Sequence, residues 1–455
     1  MNKKVILAIL VLGLLLRLIK LDQSFWLDEA SQAQLSSQSL TQIWSGRGGD
    51  FHPPLFYVLA HFWLKLGTSE TWLRLLPVSF GVANIYLIYL FTNTLFPHTV
   101  FNIKKLKLEI GAVAAFLLAV NPFHVYYSQE FRSYSLLALL GTLSMYLFFK
   151  KKYLWAAVVN AALLYTHYSS IFLLATQFII SPATIYYSLF TLLLALPWLP
   201  QFIVQLHSGA QIDTLPGWRN LLTLPALKSL PVIIFKLVAG RINLVSKYFY
   251  AVYIVFVLVS AFLAWLAAAS HRRFLTAWIL FPIVASVLVS FVIPQTQPFR
   301  LIYLLPGLII IFTQACLRFP RLFLTIFIYI AVFGNITYFT RPRLQREQWR
   351  QAISFLGHQP QGPILVKFPG VPAPFSWYDP GLPVHPVSAT LPVQPASLAT
   401  TLASYSNTPR LYLLDYLGDL TDPHHLTEQT LTNLGFSEQH VYNFEGVGFI
   451  RQFQK

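Results

Sequence analysis

The sequence predicts a polytopic α-helical membrane protein of about 11 transmembrane helices, followed by a small C-terminal α/β soluble domain. Three observations carry that expectation. Hydrophobic residues make up 56% of the 455-residue chain and charged residues only 11%, whereas a soluble domain is about a quarter charged. Apolar runs of roughly 20 residues, the length that crosses a bilayer, recur along residues 1–340. The formal charge of +16 is also unevenly spread, with 24 Lys/Arg against 8 Asp/Glu in residues 1–340 and 8 against 8 in residues 341–455. Such an excess of bases suggests nucleic acid in a soluble protein. Here the bases alternate with apolar spans, which reports membrane topology and contact with anionic membrane lipid, so nucleic acid is set aside.

The first run, about 5–20, follows Lys3 and Lys4 and resembles a signal peptide, but no small-x-small cleavage site follows, so it reads as an uncleaved first span. Further spans are expected at about 73–96, 106–123, 133–149, 153–166, 168–181, 183–200, 248–270, 274–293, 300–317 and 321–339. With the N-terminus cytoplasmic, the basic clusters at Lys104-Lys105, Lys150-Lys151-Lys152, His271-Arg272-Arg273 and Arg318 to Arg321 fall inside, as the positive-inside rule asks. The stretch 153–181 reads as two short spans, with one long tilted helix as the alternative. Residues 52–66 suit a helix lying along the interface. Residues 201–247 carry Arg219, Lys228, Lys236, Arg241 and Lys247 in an external position. These bases read equally as a phosphate-contacting set or as a solvated interfacial loop. Cys316 is the single cysteine, so no disulfide or cysteine metal site is proposed.

Domain organisation follows from the same pattern: 1–340 is the multi-span domain, with a first external loop at 21–72, and 341–455 is an extracytoplasmic α/β domain. In the latter, helical periodicity covers 347–356 and 426–434, and buried or final strands are expected at 363–368, 410–414 and 446–453. No internal repeat is evident, which weighs against transporter folds built from paired repeats.

The chemistry is read from the acids. Residues 1–340 hold only Asp22, Asp28, Glu29, Asp50, Glu70, Glu109, Glu130 and Asp213, and five of these lie between 22 and 70. Acids beside the hydrocarbon are costly and mark function. Asp22 and Glu70 read as ordinary loop residues; the adjacent pair Asp28 and Glu29, flanked by aromatics, does not. Other external loops supply Asp50 and His52, then Tyr127, Glu130, Arg132 and Tyr134, then His167, then Arg300. Arginines at span ends often only snorkel, but the positive-inside rule disfavours them on this side, which favours a functional role for Arg132 and Arg300. His167 reads first as a packing histidine and is carried as a binding candidate. The spacing of acids and histidines matches no specific metal motif, which leaves a divalent cation unassigned.

Three motifs in order carry a resemblance: Trp26-Leu27-Asp28-Glu29-Ala30 after a first span, Asp50-Phe51-His52-Pro53-Pro54-Leu55-Phe56-Tyr57, and Tyr127-Ser128-Gln129-Glu130-Phe131-Arg132-Ser133-Tyr134. Together they resemble the bacterial GT-C membrane glycosyltransferases, relatives of the protein O-mannosyltransferases and of the lipid A aminoarabinose transferase. The segment from Arg300 to Pro306 is similar to that family's late Arg-Tyr-to-Pro stretch, although Leu301 follows the arginine directly. The resemblance covers about 1–340 and is strongest over 22–135. It implies an inner-membrane enzyme that passes a sugar, with inversion, from a polyprenyl-phosphate sugar donor to a lipid, glycan or protein acceptor on the extracytoplasmic face. By the family's motif Asp28 is the general base, Glu29, Asp50 and His52 position donor or acceptor, and Arg132 and Arg300 hold the donor phosphate. The absence of a Gly-rich phosphate loop agrees with a donor that is not a soluble nucleotide sugar.

Two other classes compete. A transporter or flippase of lipid-linked sugar also needs external bases, but it calls for charges near mid-membrane rather than at the outer edge. A membrane scaffold gives the sparse acids no reason to cluster.

Overall fold

The computed structural model describes residues 3–46, 52–103, 106–212, 217 and 223–455. The described residues divide into a membrane unit and a C-terminal unit, and each is taken by itself.

The membrane unit opens with α1 (Lys3–Leu18). After α3 (Leu40–Trp44) and α4 (Leu55–Leu64) comes the long α5 (Glu70–Leu95), whose start is capped by the Ser69 side chain accepting the Trp72 N–H at 3.3 Å. Residues 106–109, expected to begin a span, instead form strand β2 (Leu106–Glu109), antiparallel to β1 (Val100–Ile103). The charges of Lys107 and Glu109 keep this segment out of an apolar helix. Glu109 accepts from the Tyr89 hydroxyl and, at 3.1 Å, from Asn93 Nδ2.

Next come α6 (Ile110–Val120) and α7 (Pro122–Ser128), bent by 64° at Asn121. Pro122 cannot continue α6 but suits the first turn of α7, and Asn121 Oδ1 accepts the His124 N–H at 2.9 Å to cap it. The chain continues through α8 (Tyr134–Phe149), α9 (Tyr153–Leu164), α10 (Ile171–Ile180), α11 (Ile185–Ala195) and α12 (Leu199–Ile212). It then runs through α13 (Ala226–Ala239), α14 (Lys247–Ala267), α15 (Arg272–Val289), α16 (Leu305–Arg318) and α17 (Pro320–Thr340).

Among the described residues, six helices are long and apolar enough to cross a membrane, or seven if the bent α6–α7 pair is one span. The sequence expectation was about 11. The remaining apolar helices are short because breaks interrupt them; residues 153–181, for example, are cut between Leu164 and Tyr168. The stretch Pro298–Arg318 is 89% buried, against 22% for Lys247–Ala267, so the former is the core of the bundle and the latter one of its outer staves. Between α8, α9, α10 and α11 lies a closed polar network. Asn160 Nδ2 donates to Gln177 Oε1 at 2.8 Å, Gln177 Nε2 to Ser144 Oγ at 2.7 Å, and the Tyr187 hydroxyl to Gln177 Oε1 at 2.9 Å. Such side chains join helices where lipid supplies no hydrophobic drive.

The C-terminal unit combines α2 (Leu27–Ser36), from the first loop, with α18 (Trp349–Gly357), β3 (Ile364–Val366), α19 (Ala373–Tyr378), β4 (Val384–Pro386), α20 (Pro395–Ala403), β5 (Arg410–Asp415), α21 (Gly418–Thr421), α22 (Leu426–Asn433), β6 (Ser437–Phe444) and β7 (Gly448–Gln454). The sheet order is β4-β3-β5-β7-β6; β3 is parallel to β4 and β5, and β7 is antiparallel to β5 and β6. Strand alternation sorts the core into two faces. Ile364, Val366, Tyr412 and Leu414 pack with Trp349, Ile353 and Phe375, and Leu365, Leu411 and Leu413 pack with Leu398, Leu402 and Leu431. Covering both faces explains why β3 and β5 read as continuous apolar runs.

Candidate active site

In the membrane unit the cluster begins at α7. The turn after it is pinned to the end of α1, because Gln129 Nε2 donates to the carbonyls of Arg17 at 3.0 Å and Ile19 at 2.7 Å. Beneath it, Arg17 is fully buried. Its guanidinium donates to Gly13 O at 2.6 Å and Ala119 O at 3.0 Å and lies 2.6 Å from His124 Nδ1. Asn121 Nδ2 in turn donates to Leu237 O at 3.0 Å, tying α7 to α13. Hydrogen bonds among buried polar groups hold a geometry firmly.

That turn presents Arg132. Its guanidinium nitrogen is 3.4 Å from His52 Nε2 and its charge sits 5.9 Å from the centre of the Tyr134 ring. The His52 ring packs edge-on to His167 at 5.6 Å, and Tyr134 lies 6.3 Å from His167. His167 Nδ1 accepts the Ser169 N–H at 3.2 Å and is 2.9 Å from Ser169 Oγ. Ser169 then reaches the last arginine, its hydroxyl donating to Arg300 O at 2.5 Å, while the Tyr303 hydroxyl donates to Ser169 O at 2.9 Å. Arg300 donates to Pro294 O at 2.5 Å and lies within electrostatic reach of Arg132 and Tyr134. Phe299 fills the space between Tyr134 at 5.0 Å and Tyr127 at 6.0 Å.

His52, Tyr127, Arg132, Tyr134, His167 and Arg300 therefore form one connected group. Glu130 is 2% exposed and acts electrostatically on Tyr127. Two bases join from α13 and the residues just after it. Arg241 donates to the Tyr126 hydroxyl with its charge 4.7 Å from that ring's centre, and Lys236, within electrostatic reach of Arg241, donates to Ile242 O at 3.2 Å. Among the described residues, Arg132, Arg300, Arg241 and Lys236 gather here with the acid Glu130, an excess of positive charge of the kind that suits an anion, and the group's tyrosines and Phe299 offer rings beside it. Asp50 lies outside the described residues.

Asp28 and Glu29 belong to the C-terminal unit, in the first turn of α2. Asp28 is partly buried and Glu29 fully buried. The helix starts at Trp26 with no side-chain cap of its own. Glu347 Oε2 accepts the Leu27 N–H at 3.1 Å and the Trp349 indole N–H at 2.6 Å, and Oε1 accepts the Tyr416 hydroxyl at 3.1 Å. Removal from water pushes the Glu347 carboxyl up to about 7, and nearby Asp28 adds to the rise; hydrogen bonds from Trp349, Leu27 and Tyr416 oppose it. Among the described residues, no group of three or more His, Cys, Asp or Glu side chains is arranged to hold a metal ion.

Sequence reasoning passed over Ser169, Phe299, Tyr416 and Glu347 and left Lys236 and Arg241 undecided. The two bases carried a signal, since they break the positive-inside pattern of the expected topology. Ser169 and Glu347 carried none, because their partners are 131 and 320 positions away.

No protein-family model matches the chain, and no curated protein matches it. Solved structures do. The crystal structure of ArnT from Cupriavidus metallidurans bound to undecaprenyl phosphate is 12% identical, with a TM-score of 0.55, over 99% of this chain and 98% of that one. The chain shares its fold with ArnT. The apo crystal structure of ArnT from the same organism is also 12% identical, over 98% of this chain and 97% of that one, with a TM-score of 0.42. The ArnT likeness covers nearly the whole of this chain, the residues of the C-terminal unit included.

Proposed function

We propose that the chain is an inner-membrane glycosyltransferase that moves a sugar from a polyprenyl-phosphate donor to a lipid, glycan or protein acceptor on the extracytoplasmic face. The observation that carries this reading is the convergence of Arg132, His52, His167 and Arg300 in a membrane-embedded unit. An isoprenoid phosphate needs fixed positive charge, and this group supports the reading by gathering it. The shared fold adds support, since the ArnT crystal structure that it matches holds undecaprenyl phosphate. In the same reading the short apolar helices, Tyr153–Leu164 and Tyr168–Ile180 among them, complete an eleven-span topology, and residues 341–455 lie outside the membrane.

In the proposed reaction an acceptor hydroxyl or amine gives its proton to the Asp28 carboxylate as its oxygen or nitrogen attacks the anomeric carbon. The bond from that carbon to the phosphate oxygen breaks on the opposite face, which inverts the centre. Polyprenyl phosphate leaves with the electron pair, its growing negative charge met by Arg132 and Arg300 and assisted by Arg241 and Lys236. Glu29, Asp50 and His52 orient the two substrates. No observation favours the transporter reading over this one. The test is Asp28→Asn in membranes given a radiolabelled polyprenyl-phosphate sugar. Transfer falls to background if Asp28 is the base, and transfer at the wild-type rate removes it from that role.

A further inference from the structure

Glu347 stands 320 positions after Leu27, yet it closes the start of the helix that carries Asp28. The backbone N–H groups in the first turn of a helix have no partner within the helix, and Trp26 provides none through its side chain. Glu347 Oε2 takes the Leu27 N–H, and a carboxylate at that end also complements the helix dipole.

The glutamate is itself held from three sides. Trp349 and Tyr416 donate to its two oxygens. Gly446, at φ +80°, lies so close that a Cβ there would fall 2.8 Å from Glu347 Cγ and 3.0 Å from its Cα, so only glycine lets the β6–β7 turn seat against it. Around that turn, Gln348 N donates to Glu445 O and Glu445 N to Gln348 Oε1, both at 3.0 Å. A side chain fixed so firmly, and joined to the backbone next to Asp28, transmits its position to that carboxylate.

We propose that Glu347 is the positioning residue of the proposed base: through the Leu27 N–H it sets the first turn of α2 and hence the placement of Asp28. This rests on the reading of Asp28 as base. Among the described residues, Asp28 from α2 acts electrostatically on Glu347, and Tyr416 from the segment after β5 donates to it. With the Glu347 carboxyl pushed up to about 7 by burial, it gains its negative charge as pH rises through neutrality. A second negative charge beside the carboxylate that receives the proton favours the proton's arrival, so turnover rises as Glu347 ionises.

The experiment measures kcat and donor KM from pH 5.5 to 8.5 for the full chain and for Glu347→Ala, Glu347→Gln and Asp28→Asn, with a polyprenyl-phosphate sugar as donor. Glu347→Ala is expected to lower kcat by about tenfold to a hundredfold, the cost of a misplaced reacting group, with donor KM unchanged. Glu347→Gln keeps the acceptor for the Leu27 N–H. It is expected to restore most of the kcat lost in Glu347→Ala at pH 6 and to lack the rise near pH 7. If Glu347→Ala fails to fold, the Glu347→Gln profile decides: a persisting rise overturns the proposal. Asp28→Asn inactive with both Glu347 variants behaving as wild type overturns the role of Glu347 alone. Asp28→Asn turning over at the wild-type rate overturns the base and the positioning role together.

Discussion

Glu347→Gln should stabilise the protein at alkaline pH and not at acid pH. The carboxyl sits at about 7 in the fold against an ordinary 4.5. A group whose folded value is raised contributes stability that is fully present below the unfolded value and is lost as pH rises through the folded one. At 1.36 kcal/mol per pH unit, that interval corresponds to a ceiling of about 3 kcal/mol lost between about pH 4.5 and 7. Glutamine avoids the loss because it stays neutral, and the hydrogen-bond pattern suits it. Leu27 and Trp349 both donate to Oε2, where the amide oxygen would sit, and the amide nitrogen would face the Tyr416 hydroxyl oxygen. Thermal unfolding of the detergent-solubilised chain by tryptophan fluorescence at pH 5 and pH 8 reads the effect. The variant should gain on wild type by up to about 2.5 kcal/mol more at pH 8 than at pH 5, since part of the loss has already occurred by pH 5. An equal difference at both pH values refutes the reasoning.

The other predictions concern the proposed anion-binding group and the packing around it. Arg132→Ala and Arg300→Ala should each raise donor KM about tenfold or more, as expected for a lost charge-assisted hydrogen bond, and an unchanged KM for both removes them from the phosphate. Gly141→Ala would put a Cβ 2.5 Å from Tyr303 Cβ. Displacing Tyr303, whose hydroxyl holds Ser169, should cost about 1–3 kcal/mol in unfolding measurements and weaken donor binding. Lys367→Met takes the buried ammonium away from Asp415, Glu428 and Asp422, which lie 3.0, 2.8 and 3.5 Å from it, and leaves Arg451 as the remaining cation near the first two. Breaking such a buried set costs about 3–5 kcal/mol, read as loss of resistance of the C-terminal unit to proteolysis.

Composition and hydropathy carried most of the fold, because the apolar runs that make helices in lipid are the strongest pattern a sequence offers. Strands β3 and β5 were legible for a related reason, being buried on both faces. Strand β6 was not, since it is a sheet edge with six of its eight residues exposed, and its side chains show no buried period. The β1–β2 pairing was hidden because Lys107 belongs to a basic cluster that reads as a cytoplasmic loop. For the candidate site, Arg132 and Arg300 stood out as bases that the positive-inside expectation disfavours where the sequence places them, and His52 by its place among the acids. Ser169 and Glu347 act through backbone groups brought near by folding, and no local pattern announces such contacts. Asp28 and Glu29 were legible as residues, but that α2 packs within the C-terminal unit was not, because loop residues show no sign of which domain receives them.

The most direct test of the central claim is whether the protein breaks the bond between sugar and phosphate. Purified full-length chain in lipid vesicles would be given polyprenyl-phosphate sugars labelled in the sugar, with candidate acceptors, and free polyprenyl phosphate would be measured. The account predicts that polyprenyl phosphate is released in equal amount to sugar transferred, and that Asp28→Asn abolishes both. Movement of intact donor across the vesicle bilayer, with no polyprenyl phosphate released, would contradict it.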